Sequence, residues 1–474
     1  MKSISRLLVL TAAGLFLGAC SEETTTDTPK VELKNHSVTP ALVKGLPSGV
    51  EVFSIVSSDD KLAESASFIF GGSADGAGLL KNSDGTFTFI VNHEDNYSVS
   101  RVTFDNTFKP VKGEYILNSD GGQWRLCSAT LATPDEHGFG PTFLTCGESG
   151  EESMTHAVNP NGALNTSQTL PALSRYSGEN ALPLPKNAYT GKTVILTLDD
   201  DSGPGGGQVG LYVSNTVGDL SGGSYHLLCL DNGNIKERDM VAGTSYPVTF
   251  KLVDNVQSKT GKQMNEEVVL ALNAMKFGRV EDADYRKGGT GREIYFVVTG
   301  QNNTGVNADY SRTKYGRAYK LTLDANDPSK GTIECIIDGD IRPGMADKFQ
   351  NPDNVCVTTN YLYIQEDPNG YGDETHDAYI YQYNLNTKTM SVVMELDHKR
   401  GDAKYNVGGD SKFGSWEYGA MIDVSSMIGI DNTFLICVQP HTWNGDAYKN
   451  PDGGTKRPNE AQASQIILVK GLPR

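Results

Sequence analysis

Apolar residues in this chain cluster in short runs, each closed by Gly, Asn or Asp, which is the pattern of β-strands joined by tight turns. Runs at residues 87–91, 193–198, 209–213, 293–298, 361–365 and 434–438 read as strands. Helical spacing is confined to short stretches such as 266–275. The pattern therefore predicts an all-β protein.

Residues 41–474 form a body too long for one sandwich, and no linker-like change of composition divides it. A closed repeat architecture uses that length. The expectation is a single β-propeller domain of six blades, each of roughly 70 residues with long loop insertions. No repeated motif fixes the blade count. Residues 464–469 read as the last strand, closing the ring against a strand from the start of the body.

The chain opens with Lys2 and Arg6 ahead of an apolar run over residues 7–17, too short for a permanent membrane span. The run ends Leu17-Gly18-Ala19-Cys20, which resembles a bacterial lipobox. Residues 1–19 are then a signal peptide and Cys20 the lipidated first residue of the mature chain. Residues 20–40 follow as a flexible tether, rich in Thr, Glu and Asp. The acidic Ser21-Glu22-Glu23 is similar to a surface-export signal of such lipoproteins. An outer-membrane, surface-exposed lipoprotein is expected, held to the membrane through its lipid alone and otherwise monomeric.

Lys and Arg number 41 against 58 Asp and Glu, a formal net charge of −17, and loss of Lys2 and Arg6 with the signal peptide makes it −19. Nucleic acid and anionic membrane surfaces repel such a body, whereas cations are drawn to it. Besides Cys20 there are Cys127, Cys146, Cys229, Cys335, Cys356 and Cys437, without a CxxC. Their wide spacing gives no disulfide connectivity.

Residues 143–151, Phe-Leu-Thr-Cys-Gly-Glu-Ser-Gly-Glu, place Cys146 among carboxylates directly after a strand-like run. A thiolate suits a transition metal and carboxylates suit calcium. Taken alone, Cys146 also fits a core position and Glu148 and Glu151 a solvated loop. Acids recur near other runs: Glu94 and Asp95, Glu179, Asp199 to Asp201, Glu281 and Asp282, Asp353, Glu366 and Asp367, and Glu417. Strand ends of different blades meet at a propeller's channel, so these acids can share one pocket. Together they would need cations or protons, because carboxylates ~4 Å apart repel.

Asn92-His93-Glu94, Leu144-Thr145-Cys146-Gly147-Glu148, Arg279-Val280-Glu281, Pro352-Asp353-Asn354, and the Trp416-Glu417 to Gln439-Pro440-His441 region resemble, in that order, the PhoX-type alkaline phosphatase family. The resemblance covers most of the body. It implies a six-bladed propeller with an iron and calcium centre that hydrolyses phosphate monoesters, a small-molecule substrate. It further implies Cys146 as an iron ligand and Glu148, Glu179, Asp199, Asp200, Glu281, Asp353 and Glu417 as metal-binding acids. Arg279 would contact the phosphoryl oxygens, with Cys146 and Glu281 beside it in catalysis. Asn92, His93 and Glu94 would face the substrate. Two departures stand out: Gly147 replaces the first glutamate of the family's Thr-Cys-Glu-Glu, and Gln439-Pro440-His441-Thr442 replaces its Gln-His-Pro-Gly. The competing readings are a non-catalytic binding propeller and a calcium-dependent propeller hydrolase of lactonase type, which has no use for a thiolate.

Overall fold

The computed structural model describes residues 30–367, 374–408 and 412–474. The segments expected as signal peptide and first part of the tether, with Cys20, lie outside the described residues, as do residues 368–373 and 409–411. The regular structure is predominantly antiparallel β, in five sheets. The expected strands are present with ends shifted by a residue or two: Phe87–His93, Thr193–Asp199, Val209–Ser214, Glu293–Val298, Tyr361–Glu366 and Thr433–Gln439. The helical stretch starts earlier than predicted, at Gly261, because the Thr260 side chain accepts from Gln263 N and caps it. It ends at Leu272, where Asn273 turns left-handed.

The arrangement is propeller-like. Six inner strands, Ala74–Lys81, Leu126–Ala132, Gly178–Pro183, Val280–Tyr285, Pro352–Val357 and Glu417–Asp423, pack in that cyclic order, the last returning to the first. Six separate sheets do not form. Ser245–Val253 pairs with Ser224–Leu230 on one side and Lys330–Asp338 on the other, joining two four-stranded units into one nine-stranded sheet. That strand caps two outer edges whose N–H and C=O groups would otherwise be unpaired. The sheet curls until its edge strands, Gly178–Pro183 and Val280–Tyr285, touch.

The chain ends close the ring as expected: Gln465–Lys470 lies between Glu51–Ser57 and Thr433–Gln439. Sheets stack face to face, so a strand such as Phe87–His93 is buried along its whole length, with the apolar Phe89-Ile90-Val91 at its middle and polar Thr88, Asn92 and His93 toward its ends. All six described cysteines are buried and free. Among the described residues no helix is long and apolar enough to cross a membrane.

One irregularity recurs in all six inner strands. Register shifts occur between Ala74 and Ala77, Leu126 and Ala129, Gly178 and Asn180, Val280 and Ala283, Pro352 and Val355, and Tyr418 and Met421. A β-bulge adds a residue to one strand and re-aims the side chains it carries.

Candidate metal centre

Five of those bulges carry a metal-ligand type of side chain: Asp75, Cys127, Glu179, Glu281 and Asp353. The sixth holds Gly419 and Ala420, and its acid, Glu417, comes from the strand's first residue. Gly419 is required there: a Cβ would stand 2.5 Å from Ala74 O and 2.7 Å from Asp75 Cα. A second tier of acids follows directly on the second strand of four units, namely Glu94, Glu148, Asp200 and Asp367.

The two tiers interlock. Ligand atoms lie within 4.8 Å of one another in four groups: Asp75, Cys127 and Glu179; Glu94, Cys127 and Glu148; Glu179, Glu281 and Asp353; and Asp353, Asp367 and Glu417. Cys127, Glu179 and Asp353 are each shared, so the groups form one chain. Its buried Asp75 Oδ1, Glu281 Oε1 and Asp353 Oδ1 accept no hydrogen bond from the protein. Native proteins rarely leave buried carboxylate oxygens so, and such a donor set fits divalent or trivalent cations. The thiol suits a transition metal at the two groups it joins, and the all-oxygen groups suit calcium.

Electrostatics agree. Burial, then the charges of Asp353 and Glu281, raises Glu179 well above the usual carboxylate range. Burial, then Asp200, does the same to Glu148 and Glu281. Asp75, Asp353 and Glu417 are raised likewise, by burial and then by Glu94, Asp367 and Asp367 respectively. Glu94 is pushed up to about 7, by burial and then Asp95. Burial and the Glu148 charge also raise the Cys127 thiol. Burial and mutual repulsion thus favour neutralisation of these carboxyls, by protons or by cations.

Two arginines reach into it. Arg279 Nε and Nη2 grip Asp200 Oδ1 and Oδ2 at 2.7 and 3.1 Å. Its Nη2 also lies 3.4 Å from Glu281 Oε1, within ion-pair reach but outside hydrogen-bond geometry. Arg279 has φ +72°, a left-handed backbone that costs a non-glycine residue ~1–3 kcal/mol and clusters at functional sites. Arg125 Nη1 lies 3.3 Å from Glu94 Oε1, and its Nη2 donates to Asp95 Oδ1 at 3.0 Å. Burial opposes it, yet Arg125 and His441 hold the Asp95 carboxyl below its ordinary value. His441 Nε2 is 3.0 Å from Glu417 Oε1.

A hydrogen-bonded belt connects the bulge residues. Asp282 accepts from Val355 N at 3.0 Å, Ala283 N at 2.7 Å and the Asn180 side chain. Thr130 Oγ1 donates to Asn180 Oδ1 at 3.2 Å, and Asn354 Nδ2 to Ser128 Oγ at 2.5 Å. Ser128 N donates to Glu179 Oε1 at 3.2 Å. The belt ties four inner strands and fixes their carboxylates.

The expected residues divide. Glu94, Glu148, Glu179, Glu281, Asp353 and Glu417 converge, and Asp200 and Arg279 stand beside them. Cys146 does not join the acids, and this is the main correction. Strand alternation puts it on the same face as Leu144, in an apolar cluster with Leu170, Ala181 and Leu227. Its sulfur faces Thr155 Oγ1 at 3.4 Å and Tyr176 Oη at 3.6 Å, and burial lifts its pKa to about 11. The thiol among carboxylates is Cys127, whose Sγ lies 3.1 Å from Glu148 Oε2.

Asn92 and His93 are corrected too. Asn92 clamps two neighbouring units, donating to Cys127 O and accepting from Thr145 Oγ1 at 3.0 Å. His93 is sealed against Phe70 and Tyr115, bonded to Ser100 Oγ at 2.7 Å, and burial lowers its pKa to about 4. Neither faces a substrate. Asp199 is buried in none of the four groups and accepts from Asp201 N at 3.2 Å. Glu366 is likewise structural, bound by His376, Tyr381 and Tyr379 N.

Sequence reading placed Asp367 among the acids able to share a pocket, as the group of Asp353, Asp367 and Glu417 has it, but missed Asp75 and Cys127 as members. A signal existed: Asp75, Cys127 and Glu179 are equally spaced, each second in its inner strand, and Arg125-Leu126-Cys127 repeats the form of Arg279-Val280-Glu281.

No family model matches the chain, and no curated protein matches it. Among solved structures it is similar to Pseudomonas fluorescens PhoX, determined in complex with vanadate, a transition state analogue. The TM-score is 0.64 at 12% identity, over 94% of this chain and 98% of that one. A gluconolactonase-type structure aligns at TM-score 0.39 and 8% identity, over 90% of this chain and 96% of that one. The PQQ-bound aldose sugar dehydrogenase of Streptomyces coelicolor aligns at 0.35 and 9%, over 90% and 100%. At these identities the likeness to PhoX is one of fold, and the other two carry no argument.

Proposed function

We propose that this chain is a metal-dependent phosphatase of the PhoX type, hydrolysing phosphate monoesters at the ring of Asp75, Glu94, Cys127, Glu148, Glu179, Glu281, Asp353, Asp367 and Glu417. The carrying observation is the chain of four ligand groups with orphaned carboxylate oxygens beside Arg279, within a PhoX-like fold. In this reading Cys127 and its two groups take iron, and the group of Asp353, Asp367 and Glu417 takes calcium. Bound cations would neutralise the charge that develops on the phosphoryl oxygens. Arg279, anchored on Asp200, orients the phosphoryl group through its planar guanidinium. Burial of the ring excludes bulk water, which strengthens each of these contacts.

We further read the nine-stranded sheet as two blades joined by Ser245–Val253, which makes six, and the protein as a monomeric outer-membrane lipoprotein anchored through Cys20. Elemental analysis of protein purified without chelator, with hydrolysis of p-nitrophenyl phosphate, tests the proposal. Iron with calcium, and activity abolished by chelation, support it. Calcium alone with no hydrolysis points to the lactonase-type reading, and no metal at all overturns it in favour of a binding propeller.

A further inference from the structure

Arg125 repeats Arg279 in three respects. Each stands immediately before an inner strand and two residues before a ligand-type side chain, Cys127 and Glu281 respectively. Each reaches back to the acids that follow the second strand of the preceding unit: Arg279 to Asp200 after Thr193–Asp199, Arg125 to Glu94 and Asp95 after Phe87–His93. Each divides its guanidinium between an acid of a ligand group and an acid outside all four. For Arg279 these are Glu281 and Asp200; for Arg125 they are Glu94 and Asp95. Glu148 shares a ligand group with Glu94, the acid on Arg125, and its Oε2 lies 3.1 Å from Cys127 Sγ.

We propose that Arg125 is a second oxyanion-binding arginine of the same centre, facing the substrate phosphoryl group from the Cys127 side while Arg279 faces it from the Glu281 side. The inference rests on the phosphatase reading. Were Glu94, Cys127 and Glu148 to hold a cation, Glu94 would turn toward it from Nη1 of Arg125, and Asp95 would remain to anchor Nη2. The N–H groups so released would offer a flat donor edge to a tetrahedral oxyanion. Asp95 is itself fixed by Ser73 Oγ at 3.1 Å and Gln462 Nε2 at 2.5 Å, and its backbone carbonyl accepts from Arg457 Nε at 2.7 Å. The anchor therefore stays in place when Glu94 moves. The Arg125 side chain is 43% exposed against 21% for Arg279, so solvent reaches it more freely.

The test is calorimetric titration of the metal-loaded protein with inorganic phosphate, for the parent and for Arg125→Gln, Arg125→Lys and Arg279→Gln, with cation content measured in each. Arg125→Gln and Arg279→Gln are each expected to keep their cations and bind phosphate about ten- to a hundredfold more weakly. Arg125→Lys, which keeps the charge and loses the fork, should recover only part of this. Under hydrolysis of p-nitrophenyl phosphate the change should fall more on KM than on kcat. Parent-like phosphate binding by Arg125→Gln, or by Arg125→Lys should the first variant not fold, overturns the inference and leaves the phosphatase reading intact. A loaded parent that binds no phosphate overturns both.

Discussion

Removing cations from the ring should destabilise the protein, and increasingly so as pH rises. In the group of Glu179, Glu281 and Asp353 the three ligand oxygens lie within 4.8 Å of one another. At an effective dielectric of about 20, each ionised pair at that separation repels by roughly 3.5 kcal/mol. Three pairs give roughly 10 kcal/mol, comparable to the whole stability of a typical domain, so the free ring must keep protons. Glu94 sets the scale: its pKa rises from 4.5 to about 7, a difference of ~3 kcal/mol. A carboxyl raised in the folded state contributes stability that is complete below pH 4.5 and lost as pH climbs through about 7.

Buried His93, His137 and His156, each lowered to about 4 by burial, act the other way: their contribution is complete above 6.5 and lost as pH falls toward 4. Comparing loaded with chelated protein at one pH cancels the histidines. The assay is scanning calorimetry from pH 5 to 8, in excess calcium and in chelator. A site occupied at 1,000 times its Kd adds about 4 kcal/mol, and protons compete for it, so the gap in Tm should widen steadily from pH 5 to 8. A gap that is absent, or constant with pH, would refute the claim that these carboxylates share cations.

Cys127→Ser should remove the transition metal and leave calcium, read by elemental analysis, whereas Cys146→Ser should keep both and lose only about 1 kcal/mol of stability. Retained metal in the first variant with loss in the second would restore Cys146 as the ligand. Asp282→Asn turns an amide N–H₂ toward donors at Val355, Ala283 or Asn180, and should weaken cation binding ten- to a hundredfold at a cost of ~1–3 kcal/mol. Unchanged affinity on calcium titration would make the belt irrelevant to the ring. Gly419→Ala forces a methyl against Ala74 O and Asp75 Cα, and should cost ~2–3 kcal/mol in chemical denaturation. A neutral outcome would mean that the sixth inner strand packs less closely on the first.

Most strands were legible in the chain because a strand buried on both faces is rich in apolar and β-branched residues, as at Phe87–His93 and Thr193–Asp199. The closure of the ring by residues near both chain ends followed from length and the absence of a break. The acid-rich character of the centre, and Glu179, Glu281, Asp353 and Arg279 within it, could likewise be read from short segments. The joining of two units by Ser245–Val253 could not, because edge pairing is decided between strands distant in sequence.

Nor could the choice between Cys127 and Cys146. Both lie in strand-like segments, Arg125-Leu126-Cys127 and Phe143-Leu144-Thr145-Cys146, and only Cys146 has acids close by in sequence. A period of two fixes which face a strand residue takes only while the register is unbroken. Cys146 stands opposite the bulge, keeps regular register with Thr155 on its other side and is turned into the core; Cys127 lies in the bulge itself and is turned toward Glu148. The residue types that gather cations were thus written in the sequence, and which of them meet was decided by six bulges that only the packed ring reveals.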